Sequence, residues 1–83
     1  MKVSNKWGVP NQFVIQADEG RYFQSYDSTV AFIANTGEVT LDSKTWDYLK
    51  TTGKYRNLFL GEDKKETEKK IKSGEYVLTD LNK

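Results

Sequence analysis

The 83-residue sequence contains no cysteine and no histidine. Without cysteine the chain can form neither a disulfide nor a sulfur-ligated metal site. Without histidine it lacks the commonest metal ligand and the commonest general base near neutral pH. Its serines, aspartates and glutamates do not fall into a recognisable catalytic set. We therefore expect no enzymatic activity, no metal site and no cofactor.

Long apolar runs are also missing. The longest one covers residues 30–34, far short of the roughly 20 residues that span a bilayer. The first ten residues are interrupted by polar side chains and Pro10, so they lack the apolar region of a signal peptide. We expect a soluble, cytoplasmic protein that does not associate with membranes.

The length of the chain allows one domain, which would bury only about 60% of the surface of the unfolded chain. Hydrophobic residues make up 36% of the sequence and aromatic residues 13%, so large rings must supply much of the core. Turn-forming residues in segment 1–12 predict an irregular N-terminal arm. This arm is either pinned by Trp7 or frayed, and a single α+β domain follows at 13–83.

Alternating or continuous apolar patterns predict the strands of this domain. The segment 29–35 is apolar on both faces, which is typical of a central strand covered on both sides or entering the thickest part of the core. The turns between successive segments are short, so the first four strands form an antiparallel meander. The predicted strands are 13–17, 21–26, 29–35, 38–41 and a fifth, C-terminal strand at 76–79.

Three short helices are expected between the fourth and fifth strands. Asp42 or Ser43 can cap the first, which ends where the β-branched Thr51 and Thr52 follow one another. Thr52 can cap the second, and Asp63 opens the third with the spacing of a capping box. The predicted helices cover about 43–51, 53–60 and 63–73, and glycines 61 and 74 end the last two.

Positive charge is concentrated in one part of the chain. The net charge is −2 for residues 1–49, +4 for residues 50–72 and −1 for residues 73–83. The first two predicted helices resemble a helix-turn-helix in outline. Their apolar side, which would close the core over the sheet, contains Trp46, Leu49, Tyr55, Leu58 and Phe59. The residues expected to form a partner-binding strip are Lys50, Thr52, Lys54, Tyr55, Arg56 and Asn57.

Several short motifs resemble those of a family of small, uncharacterised proteins encoded by bacteriophages and related mobile elements. They read FQSY at 23–26, WDY at 46–48, TTGKYRN at 51–57, FLG at 59–61 and GEY at 74–76, and the resemblance covers roughly residues 21–82. It implies a phage accessory protein that acts in the cytoplasm of a bacterial host, and it implies no particular activity.

A macromolecular partner is the functional expectation, and a host or phage protein is favoured because Tyr and Arg commonly anchor protein interfaces. The protein would then act as an inhibitor or adaptor. The alternative is a nucleic-acid-binding module in which the basic segment 50–72 contacts phosphates. A self-associating structural protein is a third possibility, and the sequence leaves the oligomeric state open.

Overall fold

Six strands form one mixed sheet in the computed structural model, which describes residues 2–5 and 7–82. The strands lie in chain order, and each of the first four is antiparallel to the next. The sixth is parallel to the fifth, because two helices intervene and bring the chain back to the end of the sheet at which the fifth strand begins. In chain order the elements are β1 (Lys2–Ser4), β2 (Gln12–Ala17), β3 (Gly20–Ser25), β4 (Ser28–Ala34), β5 (Val39–Asp42), α1 (Lys50–Leu60), α2 (Lys64–Ser73) and β6 (Tyr76–Thr79).

The α+β class is confirmed, but the sheet is larger than the predicted four-stranded meander with a fifth strand. The addition is β1, which lies in the segment expected to be an irregular arm and pairs Lys2 with Gln16 and Ser4 with Val14. Three residues are too few to show an alternating pattern, so only long-range pairing reveals this strand. Trp7 packs its ring 5.7 Å from Phe23, so the pinned alternative is the one observed. Met1, Lys6 and Lys83 lie outside the described residues.

The first predicted helix is not formed, and α1 begins earlier than expected. Residues 43–47 form turns instead, in which the buried carboxylate of Asp42 accepts bonds from the backbone of Lys44 and Thr45. Leu49 then adopts an extended conformation, which stops any helix before Lys50. The expected break at Thr51 and Thr52 is also wrong, since both residues lie inside α1. Residues 2–5 and 7–82 therefore contain two helices where the sequence predicted three.

The helix α2 agrees with the prediction at both ends. Asp63 is its N-cap, and its side chain accepts a 2.9 Å hydrogen bond from the backbone nitrogen of Glu66. Gly74 ends it in the left-handed conformation, with φ of 85°. Local signals were sufficient here because both caps involve residues within one turn of the helix.

Both helices pack on one face of the sheet, where the hydrophobic core lies. Its buried strand residues are Phe23, Val30, Ala31, Val39, Leu41 and Tyr76, and the helices contribute Tyr55, Phe59, Leu60 and Ile71. The pairing of β3 with β4 shifts register between Phe23 and Gln24, and this irregularity allows the consecutive Val30 and Ala31 both to be buried. The strand β4 is thus central in the sheet, but the helices cover only one of its two faces.

Candidate functional site

A cleft of about 620 Å³ opens beside the N-terminal half of α1, in the segment that the sequence singled out. The chain before α1 forms one wall, α1 itself forms the second, and Lys64 at the start of α2 closes one end. We call it the α1 cleft. Its lining residues are Asp47, Tyr48, Leu49, Lys50, Gly53, Lys54, Arg56, Asn57, Leu58 and Lys64.

The predicted binding strip divides into exposed and buried residues. Lys50 and Lys54 are exposed and line the cleft, and the half-buried Asn57 lines it too. Tyr55 lies outside the cleft and packs its ring 5.3 Å from that of Trp7. Thr52 and Arg56 are buried, so the prediction that these two side chains point outward is wrong.

Arg56 is buried beneath the cleft, where both terminal nitrogens of its guanidinium have hydrogen-bond partners and Nε has none among the described residues. Its side chain is 1% exposed, and Nη1 donates to the carbonyl oxygen of Trp46 at 2.6 Å and to Oδ1 of Asp47 at 3.2 Å. Nη2 donates to Oδ1 of Asn57 at 2.9 Å, and the guanidinium lies 5.2 Å from the centre of the Trp46 ring. A buried charge is tolerated when it is paired and hydrogen-bonded in this way. Arg56 therefore holds the turn before α1 against the helix.

Asp47 forms ion pairs with a basic side chain from each helix. Besides Arg56, it accepts a bond from Nζ of Lys64 at 2.7 Å, which links the turn to the first residue of α2. Partial burial pushes the pKa of Asp47 upward, but the bonds from Lys64 and Arg56 outweigh this and hold the pKa below its ordinary value. The carboxylate is therefore charged at neutral pH, and it fixes the floor of the cleft.

Thr52 joins α1 to the sheet. Its hydroxyl lies 2.8 Å from that of Ser25 on β3, and both residues are buried. Satisfying both hydroxyls in this way explains why a β-branched, polar residue is stable in the first turn of the helix. The orientation of α1, and with it the position of the cleft walls, depends on this contact.

Three apolar side chains line the cleft at its surface, and sequence reasoning assigned two of them to the core. Tyr48 is 41% exposed, Leu49 is 44% exposed and Leu58 is 54% exposed. At 100° per residue, Leu58 lies on the side of the helix opposite Arg56. Leu49 occupies the N-cap position of α1, where its side chain makes no capping hydrogen bond. The helical spacing predicts that Leu58 is exposed if Arg56 is buried, but the sequence gives no sign that Arg56 is buried.

Residues 2–75, which are 74 of the 83 residues, match a family described as a family of unknown function (DUF8033). The chain belongs to DUF8033. No curated protein and no solved structure matches it. In this DUF8033 protein the matched segment contains the whole α1 cleft, β1 to β5 and both helices.

A second buried polar cluster in the DUF8033 protein joins α2 to β6. Glu62 accepts hydrogen bonds from Nζ of Lys70 at 2.8 Å, the Thr67 hydroxyl at 2.6 Å and the Tyr76 hydroxyl at 2.7 Å. Burial pushes the pKa of Glu62 upward, but these three bonds outweigh it and the pKa lies below its ordinary value. Burial and the bond to Glu62 raise the pKa of Tyr76 to about 12. Every member has its partner, so this cluster stabilises the fold.

The described part of the DUF8033 chain contains neither a cluster of three metal-ligating side chains nor a helix that could span a membrane. Among residues 2–5 and 7–82, no three acidic side chains lie close enough together to hold a metal ion. Over the same residues, neither helix has the length and apolar character needed to cross a bilayer.

Proposed function

We propose that this DUF8033 protein is a non-enzymatic binding protein, an inhibitor or adaptor, whose partner is another protein held in the α1 cleft. The observation that carries the proposal is the exposure of Tyr48, Leu49 and Leu58 around one cleft. Apolar side chains grouped at a surface are typical of protein-binding sites, whereas isolated ones are not informative. From the resemblance to phage proteins we also propose a bacteriophage or mobile-element origin and a role in the host cytoplasm.

The position of Leu49 supports a binding role. Serine, aspartate and asparagine are the favoured N-cap residues because their side chains bond the free backbone nitrogens of the first turn. Leu49 makes no such bond, and the first turn of α1 contains no acidic residue. The residue therefore does little for the helix, and its exposed side chain does little for the core. A contact with a partner accounts for an apolar residue at this position.

The charges around the cleft indicate the chemistry of the partner. Lys50 and Lys54 are exposed at the rim, and the N-terminus of α1 adds a partial positive charge between them. Among the described residues that line the cleft, Asp47 is the only acidic one, and it is already bound to Arg56 and Lys64. The cleft thus suits a protein segment that combines apolar side chains with acidic ones.

The same geometry favours protein over nucleic acid. Arg56, the residue best suited to bidentate phosphate binding, is buried beneath the cleft and bonded to protein groups. The exposed cations that remain flank an apolar centre. Phosphate-binding surfaces instead present cations continuously along the backbone of the nucleic acid.

Site-specific photocrosslinking tests the proposal. A photoreactive amino acid replaces Leu58 in the cleft, and the matched control replaces Tyr26, which is 42% exposed in the turn between β3 and β4. In a bacterial host lysate treated with nuclease, we expect a discrete protein adduct from position 58 and none from position 26. Lys50→Glu combined with Lys54→Glu should reduce the yield of that adduct about tenfold or more, because it reverses both exposed charges at the rim.

Two results would contradict this function. One is the absence of a protein adduct at position 58, or an adduct of equal yield at position 26. The other is binding of the purified protein to random-sequence DNA at low salt with a steep loss of affinity as salt rises, measured by fluorescence anisotropy. That second result would establish the nucleic-acid-binding alternative.

A further inference from the structure

The second face of the sheet carries a continuous apolar row that neither helix covers. The registers of all five strand pairs align one residue from each strand across the sheet. Within the described residues, none of these side chains belongs to the hydrophobic core on the helix side. We call this the open face. Its row consists of Val3, Ile15, Tyr22, Phe32, Thr40 and Val77.

The open face is apolar and contains an ordered aromatic pair. The rings of Tyr22 and Phe32 stack with their centres 4.5 Å apart. Val3 is 60% exposed and Val77 is 55% exposed, so both ends of the row are open to solvent. A groove of about 430 Å³ on this face extends to the β2–β3 turn, and it is lined by Ile15, Ala17, Asp18, Glu19, Tyr22 and Thr29. The apolar surface therefore extends from one edge of the sheet to the other.

Charge distinguishes the open face from the α1 cleft. No member of the row is charged, and the two carboxylates that line its groove, Asp18 and Glu19, lie at one end of the strands, whereas three lysines surround the cleft. A two-fold axis places a surface against an identical copy of itself, so like charges on that surface would repel. The open face is compatible with a copy of itself and the α1 cleft is not.

We infer that the open face binds a second copy of the chain, with the two sheets packed face to face. In such packing the sheets lie about 10 Å apart, and the side chains of the facing rows interdigitate. The carboxylates of Asp18, Glu19 and Glu38 are exposed in the turns at one end of the strands. A two-fold axis perpendicular to the strands would place the acidic ends of the two copies at opposite ends of the dimer. This is the arrangement that the charges favour.

The size of the face indicates a weak dimer. The open face measures on the order of 25 by 15 Å, since it spans five inter-strand spacings of about 4.8 Å and four residue steps of about 3.3 Å. Stable complexes bury about 800 Å² on each partner, which is more than this face offers. We therefore expect a reversible dimer with a dissociation constant on the order of 10–100 μM.

Sedimentation equilibrium of the full chain from about 1 μM to about 1 mM tests the inference. Val3→Glu combined with Val77→Glu introduces charges at both ends of the row, at positions exposed enough to leave the fold intact. It should weaken the dimer about tenfold or more, since each copy adds charges that face the other copy. Leu58→Glu is the matched control, because Leu58 is 54% exposed but lies in the α1 cleft. Its dimer should be as strong as that of the wild type.

A second measurement identifies the contact surface without any substitution. On dilution of the wild-type protein, the amide resonances of Ile15, Tyr22 and Phe32 should shift together, while those of α1 stay unchanged. A protein that remains monomeric to about 1 mM overturns the inference, even if some other protein covers this face. Equal weakening by Leu58→Glu, or shifts confined to α1, overturns it as well. Crosslinking at position 58 is unaffected by these outcomes, so failure here is distinguishable from failure of the proposed function.

Discussion

Replacing Arg56 with methionine should unfold the protein at a much lower temperature, because Arg56 is a buried structural residue. The change removes the bonds to the Trp46 carbonyl and to Asp47 and leaves both acceptors short of a partner. Breaking a buried ion pair costs about 3–5 kcal/mol when the remaining charge has no other partner. Here Asp47 is 31% exposed and keeps Lys64, so we expect about 2–3 kcal/mol.

This loss is large for a chain of this size. Domains of this length have a free energy of unfolding of roughly 4–12 kcal/mol in total. A change of 1 kcal/mol moves the melting temperature of such a domain by about 4–8 °C. Arg56→Met should therefore melt roughly 10–20 °C below the wild type when unfolding is followed by circular dichroism.

Lys54→Met is the matched control, since it removes one cation from the same helix at an exposed position. The Lys54 ammonium lies 5.3 Å from the centre of the Tyr55 ring, a contact worth about 0.5 kcal/mol when exposed. Its melting temperature should stay within about 4 °C of the wild type. If Arg56→Met also melts within that interval, Arg56 is not a structural residue, and its assignment to the floor of the cleft is wrong.

Three other substitutions probe the cluster at Glu62, the β2–β3 turn and the N-terminus of α1. Glu62→Gln should cost about 2 kcal/mol near pH 7 in urea unfolding. The pKa of Glu62 is depressed in the folded state, so the loss of unfolding free energy is complete above about pH 4.5 and shrinks as pH falls through the folded pKa. A loss that is unchanged at pH 3 would contradict the stabilising role of the Glu62 carboxylate. Gly20→Ala should cost about 2–3 kcal/mol, since φ is +155° and the new Cβ would meet the Ile33 carbonyl oxygen, and a melting temperature equal to the wild type would refute this. Leu49→Asp should stabilise α1 by about 1 kcal/mol while lowering the crosslinking yield at position 58, and a destabilised variant would show that Leu49 is structural.

Elements with local signals could be predicted from the sequence. The strands β2 to β5 have alternating or apolar patterns bounded by turn residues, and α2 has a capping aspartate and a terminating glycine, so each was located to within a few residues. The strand β1 and the turns at 43–47 depend on distant partners. The nitrogen of Leu81, for example, donates to Asp42 at 2.8 Å across the fold. Such long-range bonds leave no local pattern.

The sequence singled out the segment in which the α1 cleft lies, but it predicted outward side chains for Thr52 and Arg56, which are buried. The prediction assumed that a cation in a helix faces solvent and that a leucine faces the core. Arg56 and Leu58 both violate this assumption, because the hydrogen bonds of the buried Arg56 side chain fix the rotation of α1. A pattern of residue types cannot reveal a buried ion pair, since its stability depends on atoms brought together from three separate segments.

The orientation of α1, with Arg56 buried and Leu58 exposed, supports the proposed binding function. A helix optimised for stability alone would bury Leu58 and cap its N-terminus with a polar residue in place of Leu49. Instead the helix buries Arg56, which requires three hydrogen bonds to offset its desolvation, and leaves both leucines in water. Arrangements that break the local rules of stability are concentrated at functional sites. The α1 cleft breaks two of them within ten residues, whereas the cluster around Glu62 satisfies every buried group and offers nothing to a partner.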